Sequence, residues 1–181
     1  MLRQIELVVP GLRHGAGRQL GQAASALRML SLTPLVLESV MSVRLPESAR
    51  AVIDSGALGH LVTVNRDGSP HVAVVWVGID GDELVTAHLS GAQQKLRNVS
   101  RDSRVVVSFE APTTNAVGMH DYLVVHGRAR ITEGGAPELL HQLAQVYVGP
   151  GTRFPPMPDP PPGFIMRITP ERITGQGPWL A

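Results

Sequence analysis

The chain has no cysteine in its 181 residues. A disulfide framework, a thiolate nucleophile and a cysteine metal site are therefore excluded. Seven histidines are present, but none pair in a His-x-x-x-His spacing, so no metal centre is expected. Charge is sparse as well: charged residues make up 17% and the net charge is +1. That balance provides no electrostatic field for nucleic acid or an anionic membrane surface. No apolar run reaches the roughly 20 residues of a membrane-spanning helix, and a cytoplasmic protein is the expectation. A Gly-x-Ser-x-Gly elbow, a phosphate-binding P-loop and a dinucleotide fingerprint are also missing. Aromatic residues amount to 4%, so each one merits attention. Lysine is nearly absent as well. Lys95 is the only one, against fifteen arginines.

What is present suits one globular domain. Hydrophobic residues are 43% of the chain, enough for a core. The first forty residues differ in character. They carry Arg3, Arg13, Arg18 and Arg28 against Glu6 and Glu38, with apolar stretches broken by Pro10, Gly11 and Pro34. Residues 1–40 read as an extension, either a non-native start upstream of Met41 or an amphipathic helix over residues 17–29. The expectation is that the extension can be removed without loss of the domain at 41–181.

From Met41 the pattern is rich in strands. A short helix is expected over 46–55, with Pro46 at its first turn and Gly56 as its stop. Residues 58–65 alternate as a strand, and Asp67-Gly68 is a hairpin signal leading into a second strand over 70–79. Residues 83–88, 104–110 and 122–132 read as further strands. Leu139, Leu140, Leu143 and Val146 have helical spacing within 138–147. Residues 149–163, dense in proline and glycine, form a loop. Two short strands, 164–168 and 172–174, close the chain. Six or seven short strands with two or three helices predict a mostly β, α+β domain built as a small barrel.

Lys95 falls in a segment that follows a strand and opens like a helix. Two readings fit it. It is a solvated lysine on a helix face, or it is a cation just inside a helix N-terminus, where free backbone N–H groups help make an anion site. On a helix, Lys95 and Asn98 lie on one face with Arg101 a turn beyond, while Leu96 and Val99 turn inward. In the second strand, Val72, Val74 and Trp76 share one face; His71, Ala73, Val75 and Val77 share the other. Both faces are largely apolar, as expected where one meets the core and the other a ligand or a second subunit. His120-Asp121 reads as a polar loop pair, not a catalytic dyad.

These segments together resemble a known family. Gly59-His60-Leu61-Val62-Thr63-Val64, Asp67-Gly68-Ser69-Pro70-His71, Trp76, Asp80-Gly81, Lys95-Leu96-Arg97-Asn98-Val99 and Arg101-Asp102-Ser103-Arg104-Val105 are similar to the split β-barrel flavin and deazaflavin oxidoreductases. These are relatives of pyridoxamine 5′-phosphate oxidase. Val125-His126-Gly127-Arg128-Ala129 and Gly175-Gln176-Gly177-Pro178-Trp179 resemble the actinobacterial branch that uses coenzyme F420. The resemblance covers about residues 45–178.

The resemblance implies an FMN-binding-like split barrel and a homodimer with cofactor sites at the subunit interface. It implies that Lys95 contacts the cofactor phosphate. The cofactor-binding residues expected are His71, Val72, Val74, Val75, Trp76, Thr86, His88, Ser90, Gln93, Lys95 and Asn98. A pocket for a small conjugated acceptor is expected from Trp76, Tyr147, Phe154, Met157 and Trp179, with the 149–163 loop as its wall. No catalytic acid or base is assigned, because solvent can supply the proton. Gln93 stands where many relatives carry a second cation. The arginine and serine patterns of the vitamin B6 oxidases are missing around the second and third strands. The implied activity is coenzyme F420-dependent hydride transfer. The alternatives are an FMN-dependent oxidase or reductase, or a non-catalytic flavin or haem binder on the same fold.

Overall fold

The computed structural model describes residues 42–180. The expectations for residues 1–40 lie outside the described residues. Helix α1, Glu47–Asp54, starts after Pro46 and buries Ala49, Val52 and Ile53, spaced three and one apart on a single face. Gly56, at φ 82°, turns the chain out of it. Strands β1 (Gly59–Val64) and β2 (Pro70–Val75) form an antiparallel hairpin. Its turn is closed by Asn65 N–H to Ser69 O at 2.8 Å, and Asp67 accepts from the Ser69 N–H and hydroxyl.

Strands β3 (Gly78–Asp80) and β4 (Glu83–His88) follow, then helix α2 (Gln94–Arg101). Strands β5 (Arg104–Thr114) and β6 (His120–Glu133) are long and antiparallel. Helix α3, Ala136–Tyr147, carries a proline in its first turn and buries Ala136, Leu140, Leu143 and Ala144. Strand β7 (Phe164–Gln176) and a 3-10 turn at Pro178–Leu180 end the description.

The seven strands form one sheet in the order β2-β1-β5-β6-β7-β4-β3. Its two edges, β2 and β3, are consecutive in the chain and separated only by Trp76 and Val77. A flat sheet cannot place its outermost strands two residues apart, so this one curls until its edges meet. The edges are joined by the covalent chain and not by a strand ladder, which makes a mostly antiparallel split barrel with flanking helices. Inward residues such as Leu61, Leu84, Phe109, Leu123, Val125 and Met166 fill it.

The structure corrects the expected strand over 70–79. The chain breaks at Trp76-Val77 because Val77 gives its N–H to the Tyr147 hydroxyl at 3.0 Å. The same hydroxyl lies 3.0 Å from the carbonyls of Val77 and Ala57. The two expected closing strands are one strand, β7. Pro170 lies between them, and a bulge absorbs it: Gly127 faces Pro170, His126 faces Arg172, and Glu171 is the extra residue. Gly127 permits this, since a Cβ there would sit 2.3 Å from Thr169 O.

Candidate functional site

Where the two sheet edges meet, the barrel opens into a cavity of about 260 Å³. The end of β2 supplies Val74, Val75 and Trp76, and β4 supplies Thr86, Ala87 and His88. Gln93 and Lys95 come from the start of α2, Leu140 from α3, Phe154 from the 149–163 loop and Leu58 from the lip. Gly163 brings that loop back against β4. A Cβ there would meet His88 O at 2.5 Å, and its φ of 60° suits glycine. Trp76 is fixed on both sides. It stacks on Tyr147 at 5.4 Å with 9° between planes, and Phe154 tilts against it at 5.1 Å. One wall of the cavity is therefore a rigid aromatic surface.

The opposite wall is polar and short of partners. His88 is 5% exposed, and its buried Nε2 has no hydrogen-bond partner. Burial holds it far below the ordinary imidazole range, to about 3, with Lys95 adding to the effect, so His88 is neutral at pH 7. Burial also pushes the half-buried Lys95 ammonium down. Buried Gln93 Oε1 is unpartnered as well. Among the described residues, no carboxylate lines the cavity. A buried polar atom without a partner is costly, and so is a desolvated cation with no counter-ion. The half-buried Lys95 ammonium, facing an aromatic wall in a cavity with no carboxylate among its described lining residues, makes this cavity the candidate site for an anionic ligand.

The other side of α2 is fully satisfied. Asn98 is completely buried and donates to Thr63 Oγ1 at 2.9 Å and Asn65 Oδ1 at 3.0 Å. It accepts from Gln94 Nε2 at 2.9 Å. Arg97 is turned back onto Ala92 O and Gln94 Oε1, and Arg101 onto Val64 O.

The model of the pyridoxamine 5′-phosphate oxidase family matches residues 45–177. The chain belongs to that family. Among solved structures it is similar to an F420 reductase, at 28% identity and a TM-score of 0.60, over 72% of this chain and 98% of that one. It is also similar to a conserved hypothetical protein of Mycobacterium tuberculosis, at 27% identity and a TM-score of 0.56, over 70% of this chain and 81% of that one. General stress protein 26 of Bacillus anthracis, at 22% identity and a TM-score of 0.50 over 70% and 88% of the two chains, shares the fold. No curated protein matches the chain. The family's fold is a flavin-binding one, and oxidoreductase chemistry is its general activity.

Against that background, the cavity gathers Val74, Val75, Trp76, Thr86, His88, Gln93, Lys95 and Phe154 from the residues the sequence singles out. The others lie elsewhere. Val72 is 58% exposed on the outer face of the sheet. His71 is half-buried opposite Thr63. Ser90 is exposed and its hydroxyl accepts from Ala92 N–H. Asn98 serves the α2–β1 contact. Tyr147 lies behind Trp76 instead of lining the cavity. Met157 is 44% exposed, and Trp179 is buried in the main core. Leu58, Ala87 and Leu140 line the cavity without having been marked in the sequence. Nothing distinguishes Leu140 from its helical neighbours except the face it presents. Among the described residues, no cluster of metal-binding side chains and no helix long and apolar enough to cross a membrane occurs.

Proposed function

We propose that the protein is a coenzyme F420-dependent oxidoreductase acting on a small conjugated acceptor. The observation that carries this reading is the single cavity that joins an aromatic wall to Lys95, with unpartnered His88 and Gln93 beside it. The residues fit such a cofactor. Lys95 would hold its phosphate through a charge-assisted hydrogen bond. His88 Nε2 and Gln93 would find partners in the adjoining polar chain. Val74, Val75 and Trp76 would flank the flat ring. The bound deazaflavin supplies the hydride. The chain's own contribution is to bind, to exclude water and to orient the acceptor against Trp76 and Phe154. Family membership and the 28% identity to an F420 reductase support the choice of cofactor.

A cavity of about 260 Å³ lies below the roughly 300–1,000 Å³ usual for ligand sites. It opens at Val74 and Leu58, which are 57% and 47% exposed. Beside them runs an apolar stripe on the outer face. Val62 pairs with Val72 on one side and Val106 on the other. A homodimer packed on this stripe would cover it and complete the site. Sedimentation should give a dimer at micromolar concentration, and a stable monomer would reject the shared site.

The cofactor reading is tested by parallel titration with coenzyme F420, FMN and haem, followed by tryptophan fluorescence. Tightest binding of F420, together with oxidation of its reduced form by an electron-poor conjugated acceptor, is the expected outcome. Binding without turnover would favour a carrier. A preference for FMN or haem would overturn the assignment.

A further inference from the structure

The link between the sheet edges has no strand ladder to satisfy it. Strand β2 ends at Val75 and β3 starts at Gly78, so the backbone of Val77 falls outside both. Val77 is 2% exposed, and partners for its N–H and C=O must come from the protein. The Tyr147 hydroxyl supplies them. It accepts from Val77 N–H at 3.0 Å and has one proton to give, with Val77 O and Ala57 O each 3.0 Å away. Burial pushes the phenol up, so it keeps that proton through the neutral range. Helix α3 can come this close because the seam presents a glycine to it. A Cβ on Gly78 would meet Leu143 Cδ2 at 2.9 Å, and Tyr147 stands one turn beyond Leu143 on the same side of the helix.

The hydroxyl joins two segments that run straight into the cavity. Val77 follows Trp76, and Ala57 precedes Leu58; Trp76 and Leu58 both line the cavity, while Tyr147 does not. Phe154, the other neighbour of Trp76, has a separate anchor. Gln145 receives Gly151 N–H at 2.7 Å and donates to Thr152 O at 2.8 Å. The polar wall, His88, Gln93 and Lys95, lies on β4 and at the start of α2, away from either anchor. We propose that Tyr147 is a positioning residue: its hydroxyl holds the seam to the lip and so sets Trp76 in the orientation that places the acceptor. The acceptor half of this proposal rests on the deazaflavin reading above. The placement of Trp76 rests on this chain's own contacts.

Tyr147→Phe keeps the ring that stacks on Trp76 and removes only the hydroxyl. The chain has two tryptophans, so Trp179→Phe leaves Trp76 as the sole fluorophore of its kind. In that background, without any ligand, Tyr147→Phe should raise the quenching of Trp76 by acrylamide. In the unmodified background it should lower kcat/KM for the acceptor about tenfold. Affinity for F420 should change by no more than about threefold, because the polar wall keeps its place. Val125→Ala, a core truncation on β6 outside the cavity lining, is the control for lost stability. It should lower Tm and leave both the quenching and kcat/KM as they are. Unchanged quenching in Tyr147→Phe would overturn the proposal. So would equal losses of kcat/KM in Val125→Ala, which would reduce Tyr147 to a stabilising contact. If the wild type does not oxidise reduced F420, the function reading falls and takes the acceptor half with it, while the quenching still decides whether Tyr147 places Trp76.

Discussion

Helix α2 has two polar sides, and they are built on opposite terms. On one, Asn98 exchanges hydrogen bonds with Thr63, Asn65 and Gln94, leaving no buried group of its own unmatched. On the other, Lys95 stands without a counter-ion among the described residues, near His88 Nε2 and Gln93 Oε1, which have no partner among them either. The sides belong to a helix of eight residues and are equally polar in sequence. Satisfaction separates them. A matched network attaches the helix to β1 and contributes to stability, while an unmatched one costs stability that a ligand can restore.

The largest effect should come from the matched side. Asn98→Leu strands Thr63 and Asn65 and should cost about 2–4 kcal/mol, lowering Tm by roughly 5–15 °C. Ligand affinity of the folded molecules should stay within about twofold. Unfolding and binding measured on the same preparation check this, and a variant that keeps its Tm but loses its ligand would erase the distinction. Lys95→Ala should do the reverse. Loss of one charge-assisted bond weakens deazaflavin binding about ten- to a hundredfold, while Tm holds or rises because a desolvated charge has gone. Lys95→Arg should be milder. An unchanged affinity in Lys95→Ala would remove the phosphate role.

A smaller effect is expected along the aromatic wall. Phe154→Ala should impair acceptor use more than cofactor binding, by about three- to tenfold in kcat/KM. Met157→Ala, which removes an exposed side chain outside the cavity, should alter neither. Equal losses from both would make the loop a structural element only. The subtlest test is pH. The unfolded chain protonates His88 near 6.5 and the folded chain near 3, so the unfolded state binds more protons between those values and stability falls as pH falls. Glu83, held near 2 by Arg130 first, adds its own loss only below about 4.5. Denaturant titrations between pH 6.5 and 4.5 report His88 together with His126, which burial and then Arg172 also push down, and the His88 share is read from its variant. His88→Phe should flatten the curve there, and an unchanged slope would mean that His88 is not buried as a neutral ring.

Much of this arrangement was readable before any coordinates. Asp67-Gly68 announced its hairpin, Leu96 and Val99 their buried side, and Lys95 its cavity. Local pattern sufficed for the hairpin and the buried side, while Lys95 had two readings until the family resemblance was added. Where the reading failed, the deciding group was distant in sequence. Residues 70–79 alternate well enough for one strand, and only the Tyr147 hydroxyl, seventy residues away, divides them. Residues 164–168 and 172–174 read as two strands because a bulge opposite Gly127 has no signature in β7 itself. Asn98 seemed to share a function with Lys95 because helical spacing reports angular proximity and not which neighbour each side chain finds.

The two-residue link between the outermost strands has a consequence for how the chain can change length. The β5–β6 hairpin ends in an exposed tip, with Val117 77% exposed, and extra residues there would extend into solvent. At Trp76-Val77 there is no such freedom. An insertion would let the sheet edges part, withdraw Val77 from Tyr147 and take Trp76 off its stack. Variation among length variants of this protein should therefore accumulate at the hairpin tip and stop at the seam.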